Sequence, residues 1–485
     1  MGLEPRSLGR IKILARHSLF TRVITLKARN FITVRETAGW PLLLGAVVAL
    51  IWVNSPASSS YHAFWNIELV LDLHVVGIRE SLRHWVNDLL LPLFFFVIGL
   101  EIKHEFVNGQ LSSPKRAALP VVTALGGMLV PIAIYVVFNM RGGAIEGWGV
   151  PVATDIAFAL AIVALLGNRV PAGLKILILA FTAVDDIGGV LIIAFAFTPS
   201  SEFSWVALAF AASVCLVVYL LQLAGVRRGG LFIGAGILLV GAIYLSGVHT
   251  TIAGVLLGLI VPARAFVGRT ELAHLIHRFS GELEEINNRR IRLENSTPGS
   301  PEDELQKAIE LEKLDVAEET ELGQLEALIE EGEEPTGRFS RAVNPWVSYF
   351  VLPLFALANA GVPISGEMIE DATSSPVARG LVVALCIGKP LGIVGFAYLG
   401  ARLGWVHLPE RLNWHHIIGM GLLGGIGFTV ALFIAKLAFL GEPAYRYAQS
   451  AVLAASVISG VAGYVYLRVF SGSIERNQLT ANERE

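Results

Sequence analysis

Residues 147–167 read GWGVPVATDIAFALAIVALLG. Asp155 is the single charge in this stretch, and a helix of about 20 apolar residues is what crosses a bilayer's hydrocarbon. The stretch is therefore membrane-long. Yet it opens on Gly147, Gly149 and Pro151, residue types that interrupt a helix, and it carries an acid only a few residues later. Ionisable groups inside spanning segments are expensive and mark function by default. An interrupted spanning helix with a buried carboxylate is the reading from which the rest of the chain is approached.

Composition agrees with a membrane setting. The chain has 485 residues, 54% of them hydrophobic and 16% charged, with a mean hydropathy of +0.63; soluble proteins carry about 25% charged residues. The charges are also clustered. Residues 264–342 hold 19 acidic and 10 basic side chains, residues 1–38 hold another 10 charges, and the other 368 residues share 38. The formal net charge of −3 reflects mainly the acidic stretch and gives no argument for nucleic-acid binding. Two cysteines, Cys215 and Cys386, lie in apolar runs without ligand-like spacing, which excludes a disulfide framework and a zinc site.

Twelve apolar runs qualify as spanning segments: 40–54, 87–103, 117–138, 147–167, 172–197, 203–225, 230–246 and 248–262 before the charged stretch, then 346–364, 378–403, 415–440 and 445–469. The two runs flanking His249 are short enough to form one kinked unit. The domain reading is a basic N-terminal segment (1–38), a first membrane part (39–263), an acidic insertion (264–342), a second membrane part (343–470) and a tail (471–485). Loop charges set the orientation. Arg6, Arg10, Lys12, Arg16, Arg22, Lys27, Arg29 and Arg35 precede the first run, and Lys103, Lys115, Arg116, Arg169, Arg227, Arg228, Arg402 and Arg411 fall on the same side. Opposite loops hold Arg79, Arg83, Arg141, Arg379 and Arg446. Both termini are expected in the cytoplasm, and no apolar core with a cleavage site marks a signal peptide.

Four ionisable residues lie deep inside the runs: Asp155, Asp185, Asp186 and Lys389. At about 1.5 Å rise per residue in antiparallel helices, the three acids fall at one level near the midplane. Adjacent helix positions diverge by about 100°, so Asp185 and Asp186 cannot both face Asp155; Lys389 is the obvious counter-charge. Carboxylates held close in low dielectric must share protons or bind a cation, and Thr154 with nearby unwound carbonyls supplies further oxygen ligands for a hard cation. Glu101, Lys103, Lys175 and Lys436 lie near predicted ends, where snorkelling accounts for them.

Other matches have plainer explanations. Gly419, Gly421 and Gly424 satisfy GxGxxG, but the run is apolar and no strand precedes it, so helix packing is the better account. Gly254 and Gly258 read as a close helix contact. His249 is open to two readings, a packed hydrogen-bonded histidine or a group titrating near neutral pH. Residues 147–167 laid over 419–439 agree at six of 21 positions, a weak link between two segments of opposite predicted direction. In 302–329, Leu and Ile recur at helical spacing among charges, which points to solvated helices or a short coiled hairpin.

Together the motifs identify the chain as resembling the NhaA-type sodium/proton antiporters. They are FFFVIGLEIKHEF (94–106), VATDIAFALAIVALLG (152–167), AVDDIGGVLIIA (183–194), SGVHTTIAG (246–254), LPLFALANAG (352–361), GKPLGI (388–393) and GIGFT (425–429). The resemblance covers about 38–468 apart from the acidic stretch. It implies an all-α polytopic membrane protein of about 12 helices with inverted repeats and two interrupted helices, the fourth and eleventh, crossing near the midplane, an architecture for which this family is itself a type example. It implies a secondary transporter, not an enzyme, that exchanges sodium or lithium for protons electrogenically in a prokaryotic inner membrane, as a homodimer in lipid and with no resident cofactor. By resemblance Asp155 and Asp186 bind sodium or protons, Asp185 pairs with Lys389, and Thr154 supports the site. Asp155 and Lys389 would offset partial charges at the broken helix ends. His249 and Glu101 are the candidates for a pH response.

The acidic insertion departs from the family, and so do Ser340, Arg341 and Asn344, which stand where relatives can carry acidic and histidine residues. The rival class is an intramembrane aspartyl protease, with two aspartates as general acid and base. That class resembles YD plus GxGD, whereas this chain has ATDIAF and VDDIGG and no Gly-Asp dipeptide. A passive channel would favour a polar or charged ring along a pore.

Overall fold

A computed structural model describes residues 39–72, 77–197, 203–224, 229–264, 268–297, 300–332, 334–366, 370, 373–409, 412–439 and 443–471. The N-terminal segment 1–38, the tail after 471, and Arg227, Arg228 and Arg411 lie outside them.

Among the described residues, eight helices are long and apolar enough to cross a membrane, and two bent pairs pass the same test together. The first bent pair is α1 (Gly39–Val53) with α2 (Ser58–Trp65), turned by 120°. The run expected at 40–54 is thus one limb of a bent element, because Asn54, Ser55 and Pro56 stop the helix and Asn54 Nδ2 donates back to the Leu50 carbonyl at 2.8 Å. A two-stranded hairpin follows, β1 (Glu68–Asp72) and β2 (Gly77–Ser81), antiparallel with Glu68 opposite Ser81. It is a small exception to the all-helical expectation.

Next come α3 (Leu82–Val107), α4 (Pro114–Asn139), α5 (Ile156–Leu166), α6 (Ala172–Ala196) and α7 (Trp205–Leu223). Two shorter apolar helices, α8 (Gly229–Leu245) and α9 (Thr251–Ile260), flank His249. They are separate elements, parted at Gly247 with φ of +78°, a backbone conformation that glycine adopts without a Cβ clash. After the charged region run α12 (Pro335–Asn359), α13 (Pro376–Arg402), the second bent pair α14 (Trp414–Gly424) and α15 (Phe428–Ala438), and α16 (Ala444–Phe470).

Helices meet through small residues. A Cβ on Gly99 of α3 would lie 2.6 Å from the Val255 carbonyl oxygen, and one on Gly258 of α9 would lie 2.6 Å from that of Phe96; only glycine permits this backbone approach. Several buried polar side chains find partners inside the protein. Thr182 Oγ1 donates to the Ile178 carbonyl at 2.8 Å, and Asn359 Nδ2 donates to Asn87 Oδ1 at 2.9 Å across α12 and α3. Three spans contain a widened turn, at Val86–Leu90, Val347–Val351 and Ala384–Gly388. Each is followed at the second residue by a proline, Pro92, Pro353 or Pro390. Proline lacks the N–H that would close the ordinary turn and crowds the carbonyl four residues back, so the turn opens.

The charged region forms its own compact unit, Val261–Phe339. It holds α10 (Arg269–Asn295) and α11 (Pro301–Gly332), with Phe279 and Leu314 buried. Arg290 bridges to Asp315 and, at 2.7 Å, to Glu318, and Lys307 Nζ donates to the Ser296 carbonyl at 2.7 Å.

Candidate functional site

The chain before α5 winds as a tight helical segment, Ile145–Val152, then runs extended through Ala153. Asp155 is the N-cap of α5, a position that favours aspartate because a side-chain oxygen satisfies backbone N–H groups that the helix leaves unpaired. Its Oδ1 accepts from Ala157 N–H at 3.1 Å and Phe158 N–H at 3.2 Å. The second break lies between α14 and α15, which are bent by 43° where Gly425, Ile426 and Gly427 interrupt the helix.

The two breaks satisfy each other. Asp155 N–H donates to the Ile426 carbonyl at 2.6 Å, and Thr154 Oγ1 donates to the Gly424 carbonyl at 3.0 Å. Thr429, in the first turn of α15, donates to Asp155 Oδ2 through its N–H at 3.1 Å and its hydroxyl at 2.7 Å. Water cannot serve these groups in hydrocarbon, so broken backbone survives there only with internal partners. The N-terminal ends of α5 and α15 both direct partial positive charge at the Asp155 carboxylate.

Lys389 answers the carbonyl ends. It is fully buried, and its Nζ donates to the Val152 carbonyl, to Thr154 Oγ1 at 2.7 Å and to Asp185 Oδ2 at 2.9 Å. All three ammonium donors are thereby used. Asp186 is the next residue on α6, turned by about 100°, and is 7% exposed. Among the described residues its carboxylate accepts no hydrogen bond.

The aspartates therefore do not merge into one cluster. Among the described residues no three His, Cys, Asp or Glu side chains gather closely enough to hold a metal ion. Asp155 is turned into the helix crossing, and Asp185 into Lys389. Glu101 instead lines a cavity of about 40 Å³ with Ile156, Ala157, Leu160 and Asn344. That volume admits a water-sized guest, directly behind the first turn of α5. His249 is placed apart from the crossing's hydrogen bonds: its Nε2 is 3.1 Å from the Phe197 carbonyl, and its ring centroid is 6.3 Å from that of Phe433.

Thr429 is the site residue that sequence reading passed over. It stood inside the motif GIGFT, and asking which hydroxyl after the second break could serve a buried acid would have found it.

The family described as Na+/H+ antiporter 1 matches residues 29–467. A protein named Na(+)/H(+) antiporter NhaA from Oleidesulfovibrio alaskensis is 40% identical over 441 residues, covering 91% of this chain and 93% of that protein. An NhaA 2 antiporter from Pseudomonas putida is 39% identical, covering 90% of this chain and 91% of its own length. The Escherichia coli NhaA is 36% identical, covering 91% and 97%. Antiporters are transporters and not enzymes, which sets the protease reading of the paired acids aside. With its apolar helices, its two broken pairs and this match across nearly its whole length, the chain belongs to the NhaA family of Na+/H+ antiporters.

Proposed function

We propose that this protein exchanges sodium for protons across a bacterial inner membrane by alternating access, with Asp155 and Asp186 holding either cation or proton. The observation that carries this reading is the contrast between the two carboxylates. An ionised carboxylate offers about four lone-pair sites, and Asp155 accepts four hydrogen bonds, whereas Asp186 is buried and accepts none among the described residues. A charge in that state calls for a proton or a metal cation. The incoming ion meets Asp186 first and reaches Asp155 by displacing a Thr429 bond, which ties ion arrival to the join between the broken helices.

Coupling follows from cost. A site carrying two bare carboxylates is too unfavourable to reorient through the membrane, so reorientation occurs with sodium or with protons aboard. Lithium, with the same charge and a smaller radius, competes for the same oxygens. No resident cofactor takes part. Glu101 and His249 remain the candidates for pH response, Glu101 through the cavity behind Ala157 and His249 through the end of α6. The same reading carries both termini on the cytoplasmic side, a homodimer, and an acidic unit that is peripheral to exchange.

The test is sodium binding by calorimetry across a pH series. Where protonation dominates, apparent affinity should weaken about tenfold per pH unit for each competing proton. Affinity independent of pH would remove the shared site. Everted vesicles, with an ionophore control, should acidify or alkalinise on sodium addition only if exchange occurs.

A further inference from the structure

Between α13 and α16, against the end of α1, the structure leaves a crevice of about 750 Å³, within the roughly 300–1,000 Å³ of pockets that hold a whole small ligand. Its walls are apolar, formed by Leu50, Val382, Val383, Leu453 and Val457. Arg379 stands in its lining, the only cation there among the described residues. That side chain is exposed, and among the described residues it has no ion-pair or hydrogen-bond partner.

The depth of Arg379 is informative. Lys389 is the central residue of the 27-residue α13, and Arg379 precedes it by ten positions. At 1.5 Å per residue this is about 15 Å, half of a hydrocarbon layer about 30 Å thick. The backbone of Arg379 therefore lies at the edge of the hydrocarbon, from which a long arginine side chain reaches lipid phosphates, and the crevice runs from it toward the membrane interior.

A second crevice of about 400 Å³ continues the first, sharing Leu50, Leu453 and Val457. Phe158 and Phe428 belong to its wall, with ring centroids 5.2 Å apart. Phe158 N–H is a donor to Asp155, and Phe428 N–H donates to Ser456 Oγ at 3.2 Å. Whatever fills this groove presses on the back of the helix crossing.

We propose that the groove is a binding site for one anionic phospholipid, its phosphate on Arg379 and an acyl chain laid along Val382, Leu453 and Val457 toward the Phe158–Phe428 pair. The planar fork of arginine suits a phosphate. Apolar walls of this length suit a chain and offer nothing to a soluble anion. The bound lipid braces the crossing from its membrane side.

The test titrates full-length, detergent-purified protein with phosphatidylglycerol and with phosphatidylcholine of the same chains, counting adducts by native mass spectrometry. Wild type should bind phosphatidylglycerol more tightly. Arg379→Gln should weaken that lipid about fivefold, the worth of one cation near a headgroup surface, and leave phosphatidylcholine unchanged, while Arg379→Lys keeps most of the preference. Val457→Trp, which fills the groove, should weaken both lipids. Phosphatidylglycerol should raise the melting temperature of wild type more than that of either Arg379→Gln or Val457→Trp. Wild-type phosphatidylglycerol binding by Arg379→Gln, or unchanged binding of both lipids by Val457→Trp, overturns the site. Displacement of phosphatidylglycerol by excess inorganic phosphate overturns it as well, by assigning Arg379 to a soluble anion. Should Arg379→Gln fail to fold, Val457→Trp and the phosphate competition decide.

Discussion

At the helix crossing four charged side chains, Asp155, Asp185, Asp186 and Lys389, are 7% exposed or less. In the α10–α11 unit, by contrast, Arg290 is 25% exposed and its partners Asp315 and Glu318 are 70% and 39% exposed. The α10–α11 unit has many more charges, yet water screens them, and exposed pairs contribute about 0–1 kcal/mol. The crossing has few, and in its apolar surroundings Asp155, Asp185 and Lys389 each have a named partner while Asp186 accepts no hydrogen bond among the described residues. Charge density is therefore a poor guide to where charge matters; the absence of solvent is a better one.

The sharpest way to break that contrast is to neutralise one acid at the crossing. Asp186→Asn and Asp155→Asn should each abolish sodium-driven proton movement in everted vesicles while the protein still inserts. Full exchange in either variant would put the ion elsewhere. Lys389→Ala should follow in size, because it strands the buried Asp185 carboxylate at a cost of about 3–5 kcal/mol. Thermal unfolding in detergent reads this, and adding Asp185→Asn should restore part of the loss. If the double variant melts with the single one, the two residues are not an energetic pair.

Thr429→Val removes a hydroxyl bond to a carboxylate while the backbone N–H bond stays, a change of about 1.5–3 kcal/mol. It should lower the melting temperature less than Lys389→Ala and shift sodium affinity. At the other end of the scale, Arg290→Ala in α10 should alter stability by less than about 1 kcal/mol. A larger drop would show that the ion pairs between α10 and α11 are shielded after all. Replacing 283–334 by a short Gly/Ser linker should leave exchange measurable. Loss of transport with normal insertion would assign the acidic unit a part in ion attraction or gating.

Much of the crossing was legible because its residues violate their setting. An acid after Gly147, Gly149 and Pro151, and a lysine in the centre of an apolar run, declare themselves without any partner in view. What stayed hidden was pairing with uncharged partners over distance. Asp155 and Thr429 are 274 residues apart, Asn87 and Asn359 are 272 apart, and no local periodicity encodes either meeting. The β1–β2 hairpin escaped for another reason: ELVLD and GIRES are only five residues each, too short for alternation to stand out beside membrane-length runs. The sharp turn between α1 and α2 had its signal in Asn54, Ser55 and Pro56, but hydropathy reports the presence of a helix and not its direction.

The widened turn Ala384–Gly388 sets the phase of everything after it in α13. An ordinary helix advances each side chain by about 100°, and a widened turn holds one additional residue before the helix resumes. Lys389 is the first residue beyond that turn, so its azimuth toward Asp185 depends on how many residues are stored there. Removing one of them would let the turn close to ordinary width and leave the ammonium near its present azimuth, whereas winding all five as ordinary helix would swing it about 100° around the axis. The chain is thus tolerant of a one-residue deletion at Ala384–Gly388, in a way that no substitution scan of Lys389 would reveal.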